Sequence, residues 1–458
     1  MRTACLALAA AVLAQAADFH SGQAARAVIG QSSFSARETG INAHALSIAH
    51  GRLNAAEANR LLTFDVSKPC TLCGLAPVSV MNQAVMRGVS AVAVFGKTVV
   101  AADAANHRVL IWRSTAPSPG VIGPKQPDVV LTQGIAEPVS VAYDGHRLFV
   151  GDAALHHVLV WNALPALDDQ PTDAVLGKTD SAPGPATIGT PAALASDGAN
   201  LFIADSENRR ILIFSPGDIE LPEDAIVNSA SLLATPLAPG TLVTIRAAGV
   251  ANDSEATEPA GGEPLPTQLA GVEVYLNGSL LPLLSVSPEE IQAQLPFDLG
   301  VASSGSLYLR GLRGGGPAIV TSAAAVRFAP TSPGIFAVGN AEPRNGLLLH
   351  SSGERGADGG PARGVPISAE NPATPGEAVT VWANGLGFEG EDAVLSVRAM
   401  VNGEPAEVVS ARLPRGVIGV YEVVVVLPAR LQGKNVRLQL VQNATPSNTV
   451  IFPVRTSP

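Results

Sequence analysis

The sequence predicts an all-β fold: an N-terminal β-propeller with four recognisable blades, followed by two immunoglobulin-like β-sandwich domains in tandem. Three observations predict it. A strand, polar turn and apolar strand recur four times in the first half, and the second half carries its own internal duplication of short alternating strands. In addition, Gly (45) and Pro (36) are abundant among 458 residues while charged residues are only 15%, a balance that suits many short strands joined by turns rather than long amphipathic helices.

The clearest copy of the first repeat reads Ala204-Asp205-Ser206-Glu207-Asn208-Arg209-Arg210-Ile211-Leu212-Ile213-Phe214. One strand ends at Asp205, a tight polar turn follows, and the next strand is an unbroken apolar run, as a strand covered on both faces requires. Related copies occupy 59–64, 106–112 and 156–161, and the closing aromatics Phe64, Trp112, Trp161 and Phe214 lie 48, 49 and 53 residues apart. That period marks an array of blades. Each unit also holds an earlier small-residue strand ending in glycine (Gly51, Gly96, Gly145, Gly198) and opens with a further short strand (27–30, 78–80, 128–131, 173–177), which makes four strands per unit. Trp112 and Trp161 occupy equivalent places and read as packing between blades.

These residues resemble the NHL-repeat family, whose blades carry an Asp-x-x-Asn-x-Arg turn before an apolar strand ending in an aromatic. Asp103, Asn106 and Arg108 match it in the second unit, and Asp205, Asn208 and Arg210 in the fourth. The third unit keeps Asp152 but has Leu155 and His157 at the other places; the first has Ala55 and Ala58 and keeps Arg60. Asp and Asn tolerate unusual turn dihedrals and cap turn amides, and Arg can lay its stem over a neighbour and donate to carbonyls there, so the expected role of all eight is structural. Family propellers commonly have six blades, but residues 17–220 leave little room for more than four. The resemblance also implies an alternative, since some related propellers are metal-dependent lyases or lactone hydrolases with ligands in the central channel. Candidate ligands are His50, His146, His156 and His157, with Asp144 and Asp197 nearby. The set is incomplete, because the places matching Asp144-Gly145-His146 read Phe95-Gly96 and Asp197-Gly198-Ala199, and Asp-Gly between strands is an ordinary hairpin turn. No Gly-x-Ser-x-Gly elbow, His-Glu-x-x-His pair or phosphate-binding glycine loop occurs. Neither a catalytic residue nor a cofactor is assigned.

In the second half, Pro239-Gly240-Thr241-Leu242-Val243-Thr244-Ile245 is echoed by Pro375-Gly376-Glu377-Ala378-Val379-Thr380-Val381. Strands running into Asn277-Gly278 and Asn402-Gly403 predict hairpins, and each copy closes on a strand before proline, at 326–330 and 450–453. Glu289 and Glu290 read as an exposed turn or a single helical turn, and 313–317 as a hairpin loop. The landmarks 227–231, 238–240, 285–296, 332–336 and Ala383-Asn384-Gly385-Leu386-Gly387 resemble a C-terminal module of exported soil-bacterial (acidobacterial-type) proteins, which implies no particular activity. The expected division is a signal peptide at 1–16, a propeller at 17–220, sandwiches at 224–330 and 372–458, and a linker at 331–371.

The N-terminus has Arg2, an apolar stretch from Ala4 to Leu13 and the small-x-small triplet Ala14-Gln15-Ala16, so export with cleavage after Ala16 is expected. No later apolar run approaches the roughly 20 residues of a spanning helix. The mature cysteines are Cys70 and Cys73, in Lys68-Pro69-Cys70-Thr71-Leu72-Cys73-Gly74. A short-range disulfide is the favoured reading, with a metal site completed by His or a redox pair as alternatives. A net charge of −10 without blocks lacks the positive field that holds a phosphate backbone, so nucleic acid is not expected as a partner. The expectation is a secreted, periplasmic or cell-surface binding or scaffold protein whose partner is an extracellular protein or glycan.

Overall fold

The structure is a computed structural model that describes residues 18–36, 41–42, 45–49, 52–56, 60–66, 79–82, 91–95, 98–113, 127–178, 182–234, 236–251, 256–257, 264–313, 316–339, 341–351, 364–387 and 396–455. It is all-β: no α-helix occurs among the described residues, and the only helical elements there are two 3₁₀ turns. The expected cleavage site, His50 and the pair Cys70 and Cys73 lie outside the described residues.

Four antiparallel sheets of four strands follow one another along the first half. The first runs Ala45–Ala49, Arg52–Ala56, Arg60–Asp65, Ser79–Asn82, and the second Val92–Phe95, Thr98–Asp103, Arg108–Trp112, Val129–Leu131. The third runs Pro138–Tyr143, Leu148–Asp152, His157–Trp161, Ala174–Leu176, and the fourth Pro191–Ser196, Leu201–Asp205, Arg210–Phe214, Ala27–Ile29. The short strands expected to open each repeat therefore close the preceding sheet instead. The apolar third strand leaves an outer edge of unpaired amides and carbonyls, and the nearest chain able to run antiparallel to it is the segment that follows. Ala27–Ile29 has no preceding sheet. It pairs with the last one, in the register Ala27 to Ile213, Val28 to Leu212 and Ile29 to Ile211.

Side chains between successive sheets form three apolar clusters. Val100, Ile111, Val150 and Trp161 join the second to the third; Phe149, Val160, Ile203 and Phe214 join the third to the fourth; Phe202, Ile211, Leu53 and Phe64 join the fourth to the first. The leading strands pack in series, Val92–Phe95 on Pro138–Tyr143, that on Pro191–Ser196, and that on Ala45–Ala49.

The second half opens with two facing sheets around a core that includes Val243, Ile245, Val274, Ile291 and Leu309. Glu290 begins the strand Glu290–Gln294, and its amide donates to Ser287 Oγ, so a turn and strand stand where a helical turn was an alternative. Asn277-Gly278 and Asn402-Gly403 have φ of 51°, 80°, 52° and 86°, the paired positive values of a tight two-residue hairpin. A second core gathers Val381, Tyr421, Val423, Leu438 and Phe452. The 331–371 segment expected as a linker contributes to the sheet around it. Gly334–Ile335 and Leu348–His350 pair with Ala378–Asn384, and Arg344–Gly346 pairs in parallel with Val450–Pro453. Alternating apolar residues such as Ile335 and Leu348 supply core side chains there, which a linker would not.

Both junctions between these bodies are buried and polar. Asn384 and Asn228 are 0% exposed; Asn384 Nδ2 donates to Leu242 O (2.8 Å) and Asn228 Oδ1 (3.2 Å), while Asn228 Nδ2 donates to Ser332 O (2.9 Å). Arg344 donates to the carbonyls of Ala230 and Ser231. At the other junction Ala24 N donates to Ala323 O (2.6 Å), Arg26 donates to Thr321 O (2.6 Å), and its guanidinium lies 4.7 Å over the Tyr308 ring, which stacks on Tyr275. Ile29, fully buried in the strand that completes the fourth sheet, tests how far the first half depends on that pairing. Ile29→Ala is expected to cost about 2–5 kcal/mol in urea denaturation, with loss of hydrogen-exchange protection along 210–214 before the second half opens.

Candidate functional site

The Asp-x-x-Asn-x-Arg turns take three forms. In the fourth sheet Asp205 Oδ2 accepts from Asn208 Nδ2 and Arg210 Nε, both at 2.9 Å, and Asp205 Oδ1 accepts from Gly189 N (3.0 Å). The Asp205 and Arg210 side chains are 0% exposed, and the guanidinium also donates to the carbonyls of Gly184 (3.0 Å), Thr187 (2.8 Å) and Phe34. In the second sheet Asp103 accepts from Asn106 and Arg108 at 2.8 Å each, but Arg108 is 41% exposed. The hydrogen bond from Arg108, then that from Asn106, hold the Asp103 carboxyl below its ordinary range. In the third sheet Asp152, also buried, accepts from the amides of Ala136, Glu137 and Leu155. His157 lies opposite it in register, and burial pushes its imidazole down despite the nearby Asp152 charge and the Gly134 carbonyl. Arg60 opens the strand Arg60–Asp65 of the first sheet.

His107, His156 and Arg209 share one backbone state, with φ of 54°, 54° and 55°. From it each reaches toward a neighbouring segment: the rings of His107 and His156 meet the carbonyls of Ala136 and Gly189 through Nδ1, and Arg209 O accepts from Gln31 Nε2. Each bond ties a turn to the segment that leads into the next sheet. Trp161, 1% exposed, instead donates through Nε1 to Gln170 O in the loop that follows its own strand.

The candidate metal ligands at the other end of the sheets are used by their own turns. Asp144 Oδ1 accepts from the amides of His146 and Arg147, and Asp144 Oδ2 from Ser196 Oγ. Asp197 Oδ1 accepts from the amides of Ala199 and Asn200. His156 and His157 sit in the opposite turns, so the structure does not bring them to His146, Asp144 or Asp197. No group of three or more His, Cys, Asp or Glu able to hold a metal occurs among the described residues.

What the structure does bring to this hairpin end is an aromatic ledge that the candidate residues did not include. Phe95, last residue of Val92–Phe95, is 54% exposed and meets Tyr143, last residue of Pro138–Tyr143, edge to face at 5.9 Å. The Tyr143 hydroxyl donates to Gly145 O (2.9 Å), and burial together with the Asp144 charge raises its pKa. Gly145, at φ 98°, leaves room for the ring: a Cβ there would lie 2.5 Å from a Phe95 ring carbon. Asp144 and exposed His146 belong to the same hairpin as Gly145, and exposed Asp197 to the corresponding hairpin of the following repeat. The signal in the sequence was Phe95 standing before glycine where the following repeats have Asp144 and Asp197. A separate cleft of about 360 Å³ at the first junction is lined by Lys178, Glu220, Glu223 and Asp224, with Lys178 paired to Glu223 at 2.9 Å.

No family model and no curated protein matches this chain. Among solved structures it is similar to the Bacteroides ovatus mixed-linkage glucan utilization locus SGBP-B, held with a heptasaccharide, at 12% identity over 49% of this chain and 44% of that one, TM-score 0.14. It is similar to PorZ, a surface component of the type-IX secretion system of Porphyromonas gingivalis, at 10% identity over 86% and 52%, TM-score 0.16. Tandem immunoglobulin domains of titin align at 10% identity over 48% and 90%, TM-score 0.13. This chain thus spans under half of SGBP-B and about half of PorZ, and at these scores the overlaps carry no argument about what it binds.

Two outcomes test the turns. Arg210→Met leaves Asp205 charged and buried, and is expected to cost about 3–5 kcal/mol in chemical denaturation; Arg108→Met, at an exposed pair screened by water, is expected to cost far less. His157 is held neutral by burial, so its folded pKa lies below its unfolded value near 6.5. Its contribution is therefore present above that value and lost as pH falls below it toward the folded pKa. Between pH 7.5 and 5.5 the wild type is expected to lose more stability than His157→Gln.

Proposed function

We propose that this chain is an exported, non-enzymatic binding or scaffold protein. In this reading residues 17–220 form an NHL-type propeller of four blades closed by Ala27–Ile29 and act as the interaction face. Two immunoglobulin-like sandwiches, 224–330 and 331–458, act as spacer or surface attachment. Residues 1–16 are a signal peptide, Cys70 and Cys73 form a short disulfide, and the eight turn residues are structural.

The observation that carries this reading is the pair of buried, hydrogen-bonded junctions at Arg26 and at Asn228 with Asn384. Flexible tethers leave such groups to water. Here they tie the first half to the first sandwich and that sandwich to the second, which suits presentation of a face. The alternative, a metal-dependent lyase or lactone hydrolase, finds the oxygens of Asp144 and Asp197 already accepting turn amides.

The mature protein is expected to bind isolated cell envelopes saturably, and to turn over no lactone or ester when Ca²⁺, Mn²⁺ or Zn²⁺ is added. Metal-dependent turnover abolished by His146→Ala would overturn the reading.

A further inference from the structure

We propose that the ledge made by Phe95 and Tyr143 is a carbohydrate subsite that takes a neutral or N-acetylated sugar ring. The proposal rests on the binding reading above and names the ligand class of its hairpin face.

A phenyl ring that only sealed two sheets would be buried, as Phe149 and Phe202 are at 0% and 1%. Phe95 is instead 54% exposed at the place where the next two repeats have a turn-capping aspartate. The ring is also held still. Tyr143 meets it edge to face, the Tyr143 hydroxyl is tied to Gly145 O, and the bare Gly145 backbone lies beneath it, where any Cβ would collide. A fixed, water-facing aromatic has little conformational entropy to lose on contact.

A sugar ring offers one flat face of C–H groups and a rim of hydroxyls. The apolar face suits the Phe95 ring, and the rim suits polar groups placed around it. Beside the ledge, in the hairpin that carries Gly145, stand Asp144 and exposed His146, and Asp144 Oδ2 accepts from Ser196 Oγ of the following sheet. The Asp144 carboxylate, next to the Gly145 that lies under the ring, disfavours an acidic sugar relative to a neutral one.

The test measures binding of cellohexaose, chitohexaose, xylohexaose, mannohexaose and a galacturonic acid hexamer to the full-length mature protein by calorimetry, with Phe95→Leu and Phe95→Tyr alongside. At least one neutral oligosaccharide is expected to bind, with affinity about tenfold weaker or worse in Phe95→Leu and kept in Phe95→Tyr, at unchanged melting temperature. Saturation-transfer NMR on the wild type, which needs no variant to fold, is expected to place sugar C–H protons on the aromatic signals. Equal binding by Phe95→Leu, preference for the uronate, or no binding of any neutral sugar overturns the assignment. If envelope binding persists in Phe95→Leu while no sugar binds, the sugar assignment falls and the scaffold reading stands; loss of envelope binding in the wild type would remove the scaffold reading itself.

Discussion

A β-strand carries hydrogen-bonding groups on both edges, and in the strand Arg210–Phe214 the satisfaction of both edges ties together parts of the chain far apart in sequence. Its inner edge pairs with Leu201–Asp205, and its outer edge takes Ala27–Ile29 from the other end of the repeat array. Its first residue sends a buried guanidinium to Asp205 and to carbonyls of Phe34, Gly184 and Thr187. A buried cation is costly unless each donor has an acceptor. The loops near 34 and 184–187 are therefore constrained to approach it, and Gly184 in turn lies close to Ser304 of the following body.

The two junctions extend the same constraint outward. Gly217 packs so tightly against the backbone of Thr321 and Ser322 that a Cβ there would fall 1.9 Å from an amide nitrogen, and one at Gly385 would fall 2.1 Å from Ser332 O. Such contacts require registration of backbone on backbone, which hydrophobic burial alone would not specify. Asn228 and Asn384 then use their side-chain amides as donors and acceptors across the second junction, where an aliphatic pair would leave Leu242 and Ser332 backbone groups unmade. Orientation along the chain is thus set by polar groups inside dry seams.

Much of this was legible in the sequence, and the parts that were not have identifiable causes. Periodic apolar runs ending in Trp161 and Phe214 located the strands of the first half, and Asn277-Gly278 and Asn402-Gly403 located hairpins of the second. The grouping of strands into sheets was not legible, because a three-residue strand such as Val129–Leu131 carries no mark of which neighbour it will pair with; edge satisfaction decides that. Residues 331–350 read as linker because their strands are two or three residues long and lie beside a stretch rich in Gly and Arg. Their partners, Ala378–Asn384 and Val450–Pro453, are distant in the chain. The asparagines of the second seam appeared only as sequence landmarks, since a buried side-chain amide and an exposed one look alike without the fold.

Repeats also show where selection has departed from structural need. The turn motif is complete and buried in the fourth sheet, complete but exposed in the second, and altered to Leu155 and His157 in the third, yet Asp152 still collects three backbone amides there. Each version satisfies its turn, so variation at these places follows what each neighbour demands. The hairpin end behaves differently. Asp144 and Asp197 cap their turns with two amides each, whereas Phe95 can cap none and leaves more than half of its surface in water. A position that gives up a favourable local interaction without gaining burial is where a local rule is broken for a reason outside folding. Because Gly145 must remain glycine both for its φ of 98° and for the ring above it, the exception at Phe95 is built into the next sheet as well. Two adjacent repeats therefore cooperate to hold an apolar surface outward, Phe95 from one and the bare Gly145 backbone from the next.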